Sequence, residues 1–370
     1  MPGVVNFGNG GSGRGEADYN YLYGLIRSRE GELIDGARLR ALVGMARIDE
    51  IVQICPESPF MDAFAPDLDE AALERAIASE QADLRWLIDR YAPEPALREL
   101  LLVPRDLYNL KVALRRHAVS ADAEPAAADA EADEGAEDAW YGPPGTRTVA
   151  SIRAAVADDG PGLTSAGDID RASRALAACL ERALGAFYAA GRNGQVLELA
   201  SDRLAHLFRI ATTEVADPGV GAVYRDSAAI AAGELLARGS AAGLPWEVAR
   251  WGLLDLPSQG DLQALYETPA GDWGPRLASF SGVLRVLLAR IGEGMETGAA
   301  VRAEQDAVAK RIAAWRYAPP SFAFAVYYLC KKQADLAALR MICLAKLKGV
   351  AETTISARVG GALMGLAPAA

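Results

Sequence analysis

Residues 320–350 read PSFAFAVYYLCKKQADLAALRMICLAKLKGV, and this stretch decides the fold class. Between Ser321 and Lys348 it contains no proline or glycine, and strong helix formers predominate. Leu336, Leu339, Cys343, Leu347 and Val350 recur on one face of a 3.6-residue wheel. A shorter cousin, RDLYNLKVALRR, occupies residues 105–116. Laid over each other from Asp106 and Asp335, both segments read acid, leucine four residues on, then a cation, Lys111 or Arg340. Leu114 falls near Leu344 in this overlay. One helix type used at two distant places points to a repeated all-helical unit rather than to a catalytic fold.

Outward from these segments the helical pattern continues. Tyr19, Leu22, Tyr23 and Ile26 form an i, i+3, i+4, i+7 stripe, with Asp18 placed to cap it. Amphipathic stretches follow at 39–54 and 70–91, separated by proline-rich breaks at 56–66 and 93–95. Pro104 stands just ahead of Asp106, where a helix start is expected. Further helices are expected from about Ile152, then over 170–191, 195–213, 224–238, 245–254, 261–266, 273–292 and 297–315. Period-2 alternation never lasts six residues between turn signals, so strands are not expected. A faint third copy of the repeated helix is read at Asp202 to Arg209, with His206 where the first copy has Leu110. The predicted class is all-α. Its divisions are a Gly-rich tail at 1–16 expected to be disordered, a helical lobe at 17–120 and an acidic Ala-rich linker at 121–148. A second lobe at 149–244 and a third at 245–370, carrying the signature helix, complete the chain.

Hydrophobic residues make up 51% of the 370 and aromatics only 7%, a mixture that favours helix packing. The longest uncharged apolar runs fall far short of the roughly 20 residues a membrane helix needs. The formal net charge is −11, a poor match for a nucleic-acid backbone. Eight acids between Ala121 and Ala139, with no Lys or Arg among them, supply most of that excess. Such a segment cannot bury enough surface to fold alone. The four cysteines (Cys55, Cys179, Cys330, Cys343) include no C-x-x-C pair, and a reducing cytoplasmic setting fits them.

No catalytic constellation emerges. Gly8 to Gly13 satisfies G-x-G-x-x-G in form, but no strand precedes it and no βαβ unit follows, so a flexible tail is the reading. No P-loop or G-x-S-x-G elbow occurs. His117 and His206 are too few and too isolated for a metal triad, and Glu293 and Glu296 read as solvated acids in a Gly-rich loop. Trp246, Trp251, Trp273 and Trp315 are expected to anchor helix–helix contacts. No cofactor, metal, nucleic acid or small-molecule substrate is expected.

The two leading segments resemble a known family, the C subunits of A/V-type rotary ATPases (V-type ATP synthases), related to the d subunit of the eukaryotic V-ATPase. Asp106, Asn109, Leu110, Lys111, Leu114 and Arg115 match its D-x-x-N-L-K-x-x-L-R helix. Tyr327, Tyr328, Leu329, Lys331, Leu339, Arg340, Ile342, Lys346 and Gly349 match its C-terminal signature helix. Asp335 stands where Glu is usual and Ala338 where Asn is usual. Together the motifs cover about a tenth of the chain. The resemblance implies three related helical lobes forming a funnel around a central cavity. It implies a non-catalytic coupling subunit that links the central-stalk subunits to the membrane proteolipid ring. Its place would be cytoplasmic, peripheral on the inner face of the plasma membrane through that ring.

Two readings stay open for the +5 cations. Arg340 lies within the apolar stripe, either as an internal strut paired with an acid from another helix or as a cavity-lining contact to a partner; the same holds for Lys111. Lys331, Lys332, Lys346 and Lys348 read as a solvated positive face that the stalk could meet. The alternative to a rotary coupler is a generic helical-repeat scaffold for protein binding, unrelated to ion transport. A helical enzyme with an unmarked site is the third possibility.

Overall fold

The computed structural model describes residues 18–45, 50, 69–122, 148–157, 190–191, 193–253 and 259–359. The Gly-rich tail, nearly all of the acidic linker, the break at 56–66, almost all of the helix expected over 170–191, Cys55 and Cys179 lie outside them. Among the described residues every regular element is helical and no strand occurs. In chain order these are α1 (Asn20–Arg29), α2 (Gly36–Gly44), α3 (Glu70–Tyr91), α4 (Pro95–Asp122) and α5 (Val149–Ala157). Then come α6 (Gly194–Ala216), α7 (Pro218–Ala241), α8 (Trp246–Ala249), α9 (Gln259–Tyr266) and α10 (Gly282–Gly292). The last three are α11 (Thr297–Ala314), α12 (Phe322–Leu347) and α13 (Glu352–Val359).

Local chemistry accounts for many of the starts. Asp35, Asp69, Asn193, Asp217 and Ser321 each accept a backbone N–H in the first turn of α2, α3, α6, α7 and α12. Pro218 occupies the first position of α7, where its missing N–H costs nothing. Glu296, read from the sequence as merely solvated, caps α11 by accepting from Gly298 and Ala299, both at 2.8 Å. Those two bonds hold its carboxyl below the usual range.

Four expectations are corrected. Pro104 does not start a helix; α4 begins at Pro95 and runs through Pro104 without a break. An interior proline costs about 3 kcal/mol. Leu97, Leu100, Leu101 and Leu102 before it and Leu107 and Leu110 after it are all buried, at about 1.5–3 kcal/mol each, so burial on both sides outweighs the break. The helix expected over 39–54 ends at Gly44, with Met45 extended. The stretch 273–292 is not one helix. Ser281 is extended and Gly282 takes φ +58°, a left-handed conformation that separates a 3-10 turn at Gly274–Ser279 from α10. Finally, Leu347 and Val350 do not extend the buried face of α12, because the helix stops at Leu347 and Gly349 (φ +67°) turns the chain.

The apolar side chains gather into three main layers. The largest joins α7 to α9, α10 and α11, with Trp273 fully buried among Leu236, Leu265, Leu287 and Leu288. Gly233 lets α7 and α10 approach closely, since a Cβ there would meet Leu287 Cδ2 at 2.6 Å. The other two layers share α12. Its first half, Phe322 to Leu329, packs with α1, the end of α3 and the start of α4. Its second half, Leu336 to Cys343, packs with α2, the start of α3 and Ile355 of α13. Thus α12 is the shared wall of two cores whose other side chains come largely from α1 to α4.

Candidate functional site

Between the two apolar halves of α12 lies a buried layer of charge. Lys331 is 2% exposed and pairs with Asp335 one turn later. The Lys331 ammonium also donates to the Ile34 carbonyl at 2.5 Å, while the Ile34 N–H donates to Asp335 Oδ2 at 3.0 Å. Both polar groups of a single backbone residue, in the extended link ahead of α2, are therefore satisfied by one ion pair on α12. Burial pushes the Asp335 carboxyl above its usual range, opposed by Lys331 and by the Ile34 N–H.

Beside it Lys332 reaches the buried Glu80 of α3 at 2.7 Å and Glu32 at 3.3 Å. Burial works against the Lys332 charge, yet the bond and charge of Glu80, with Tyr328 and Glu32, raise its pKa above the ordinary value. At the end of the helix, Lys346 donates to the carbonyl of Met45, the residue that terminates α2, at 2.7 Å. So α12 holds α2 at both of its ends. Tyr327 and Tyr328 are buried above this layer, and burial pushes each phenol up to about 12.

These positions correct the reading of the lysines as one solvated face: Lys331 and Lys332 are buried and Lys346 is bonded, leaving only Lys348 exposed, 3.9 Å from Glu70. They also correct Arg340. Its side chain is 56% exposed and meets Glu74 of α3 at 2.7 Å, so it links two helices at the surface instead of within the core. The reason is rotational. The core arc runs from Ala338 and Ile342 through Lys331, Asp335 and Leu339 to Cys343 and Leu336; a stripe drawn through leucines alone follows one side of it, and Arg340 lies just past that edge.

In the first motif Asp106 and Asn109 are fully buried. Lys111 is partly buried and bridges from α4 to Glu198 (2.9 Å) and Asp202 (3.1 Å) of α6. Both +5 cations therefore pair with an acid on another helix. Arg115 lies within α4, its side chain outside the described residues. Asp106 and Asp335 are alike as buried acids, whereas Asp202 is exposed.

Lys111 also borders a cleft of about 550 Å³ between α4, α6 and α7. Leu107 and Tyr108 line it from α4, Asp202, His206 and Arg209 from α6, and Glu234 and Arg238 from α7. Burial, then the neighbouring Arg209 charge, hold the His206 pKa below 6.5. A smaller cavity of about 230 Å³ lies beside the polar layer, between Ile34, Arg316, Tyr327 and Lys331. Among the described residues no group of three or more His, Cys, Asp or Glu is placed to hold a metal ion. No described helix is long and apolar enough to cross a membrane.

Sequence reasoning missed Glu80, Glu32 and the backbone of Ile34 and Met45. Only Glu80 left a signal. It interrupts the apolar stripe of Leu73, Ala76, Ile77, Leu84, Leu87 and Ile88 at a core register, which calls for a buried cation opposite.

Compared with known proteins, the chain is 30% identical over 114 residues to the C subunit of the A-type ATP synthase of Methanocaldococcus jannaschii. The match covers 29% of this chain and 29% of the relative. No family profile matches. The likeness supports a distant relation to that family, borne by an all-helical chain.

Proposed function

We propose that this chain is a non-catalytic coupling subunit of an A/V-type rotary ATPase, seated between the central stalk and the membrane proteolipid ring. The observation that carries the reading is the 114-residue similarity to the C subunit of an A-type ATP synthase. The placement of the two motifs is in keeping with it, since their acids Asp106 and Asp335 are both buried and their cations Lys111 and Arg340 both tie helices together.

On this reading the three helical lobes surround a tapering cavity that receives the foot of the stalk, and the wide end rests on the ring. Attachment to the membrane runs through the ring. The task is mechanical: torque passes between a soluble shaft and a ring of different diameter. Close-packed helices suit it, because dense interiors resist compression and transmit strain. The double hold of α12 on α2 adds to that stiffness.

The test is reconstitution. Full-length chain is mixed with the purified stalk-subunit pair of the same machine and the mixture is resolved by size-exclusion chromatography. Co-elution at a fixed stoichiometry is expected. Separate elution at micromolar concentrations, with both components folded, overturns the proposal and favours the generic scaffold.

A further inference from the structure

The stripe that α6 turns toward α4 and α7 is divided by charge. Glu198, Asp202, His206 and Arg209 follow one another at helical spacing. At one end the two acids are matched by Lys111. At the other, no carboxylate among the described residues pairs with Arg209, and burial and that guanidinium lower the pKa of His206 beside it. Across the cleft Arg238 meets Glu234 at 3.0 Å. Of the cations in the lining, Lys111 is matched by Glu198 and Asp202 and Arg238 by Glu234, while no carboxylate among the described residues meets Arg209, in a chain whose net charge is −11. Leu107, Leu199 and Leu235 form low-dielectric walls around them, which concentrate the local field.

We infer that this cleft is a binding site for an acidic peptide segment, whose carboxylate completes the charge pattern by pairing with Arg209 beside His206. The site stands whether or not the chain serves a rotary machine. A peptide fits better than a compact polyanion. Asp202 and Glu234 would repel a phosphate cluster, whereas single carboxylates spaced along a chain can meet Arg209 and Arg238 separately. Apolar walls and the half-exposed Tyr108 at the rim suit the intervening side chains.

The probe is a fluorescein-labelled hexaglutamate peptide titrated with full-length protein and followed by anisotropy, with inorganic phosphate as competitor. Saturable binding is expected, weakened at least tenfold in Arg209→Gln. Ala205→Glu, which removes no cation but places a carboxylate one turn from Arg209, is expected to weaken it similarly. Arg276→Gln, outside the cleft, should leave it unchanged. Circular dichroism establishes that each variant is folded. The inference is overturned by absence of saturable binding, by equal affinity in the two cleft variants and wild type, or by phosphate binding at the cleft while hexaglutamate does not bind.

Discussion

Lys331 and Asp335, one turn apart on α12, form a buried ion pair that accepts the N–H and holds the carbonyl of the same residue, Ile34. An ion pair in a core is costly to desolvate and adds little net stability over an apolar pair of equal volume. Its value lies in register. Only one placement of the link before α2 satisfies both backbone groups and both charges, so the pair fixes where the N-terminal segment docks on the last long helix.

Removing one member should therefore cost far more than removing both. Lys331→Met leaves Asp335 buried without its cation, and about 3–5 kcal/mol of stability is expected to be lost. In the double variant Lys331→Met, Asp335→Leu the loss should be clearly smaller than the sum of the two singles. Urea unfolding of the four proteins in the cycle checks this.

Arg340 should behave as a surface residue. Arg340→Ala breaks a contact whose partners are 56% and 40% exposed, and a cost below about 1 kcal/mol is expected. A loss comparable with that of Lys331→Met would return Arg340 to the core face.

Gly233 tests the close approach of α7 and α10. Ala at this position drives a methyl group toward Leu287 and Leu284, and overpacking of this kind costs about 1–3 kcal/mol. The higher helix propensity of alanine would by itself stabilise by about 1 kcal/mol, so the sign of the change decides which effect dominates. Thermal unfolding is expected to show destabilisation.

The pH dependence of His206 follows from burial beside Arg209. Its folded pKa lies below 6.5, so the unfolded chain binds more protons once pH drops under that value. The contribution of His206 to stability is therefore full above 6.5 and declines as pH falls toward the folded pKa. His206→Gln should flatten the stability profile across this window. In an NMR titration the His206 ring signal, assigned by its absence in that variant, should titrate below the usual histidine range.

The sequence carried the fold class well and the core face of its most informative helix badly. The apolar stripe of α3, from Leu73 to Ile88, is read directly from its spacing, and its boundaries follow from Asp69 before it and the Gly- and Pro-free run up to the proline break. Hydrophobicity locates α12 equally well. It misorients the helix because three of the inward positions, Lys331, Lys332 and Asp335, are charged, and an apolar stripe cannot register them. Their partners come from residues about 300 positions earlier in the chain, Glu32 and Ile34, and from Glu80. Such pairings leave no local trace. The continuity of α4 through Pro104 was hidden for a related reason: burial on both flanks overrode a local signal that normally ends a helix. The charge division of the α6 stripe was legible as residues but not as a site, since Lys111 and Arg238 arrive from other helices.

The account rests on α12 acting as a strap across α2, and native-state hydrogen exchange in Asp335→Asn reads this directly. Amides of α2, from Leu39 to Val43, are expected to lose much of their protection while those of α10 and α11, in a separate apolar layer, keep theirs. Unchanged protection in α2, or an equal fall in all three helices, would contradict it.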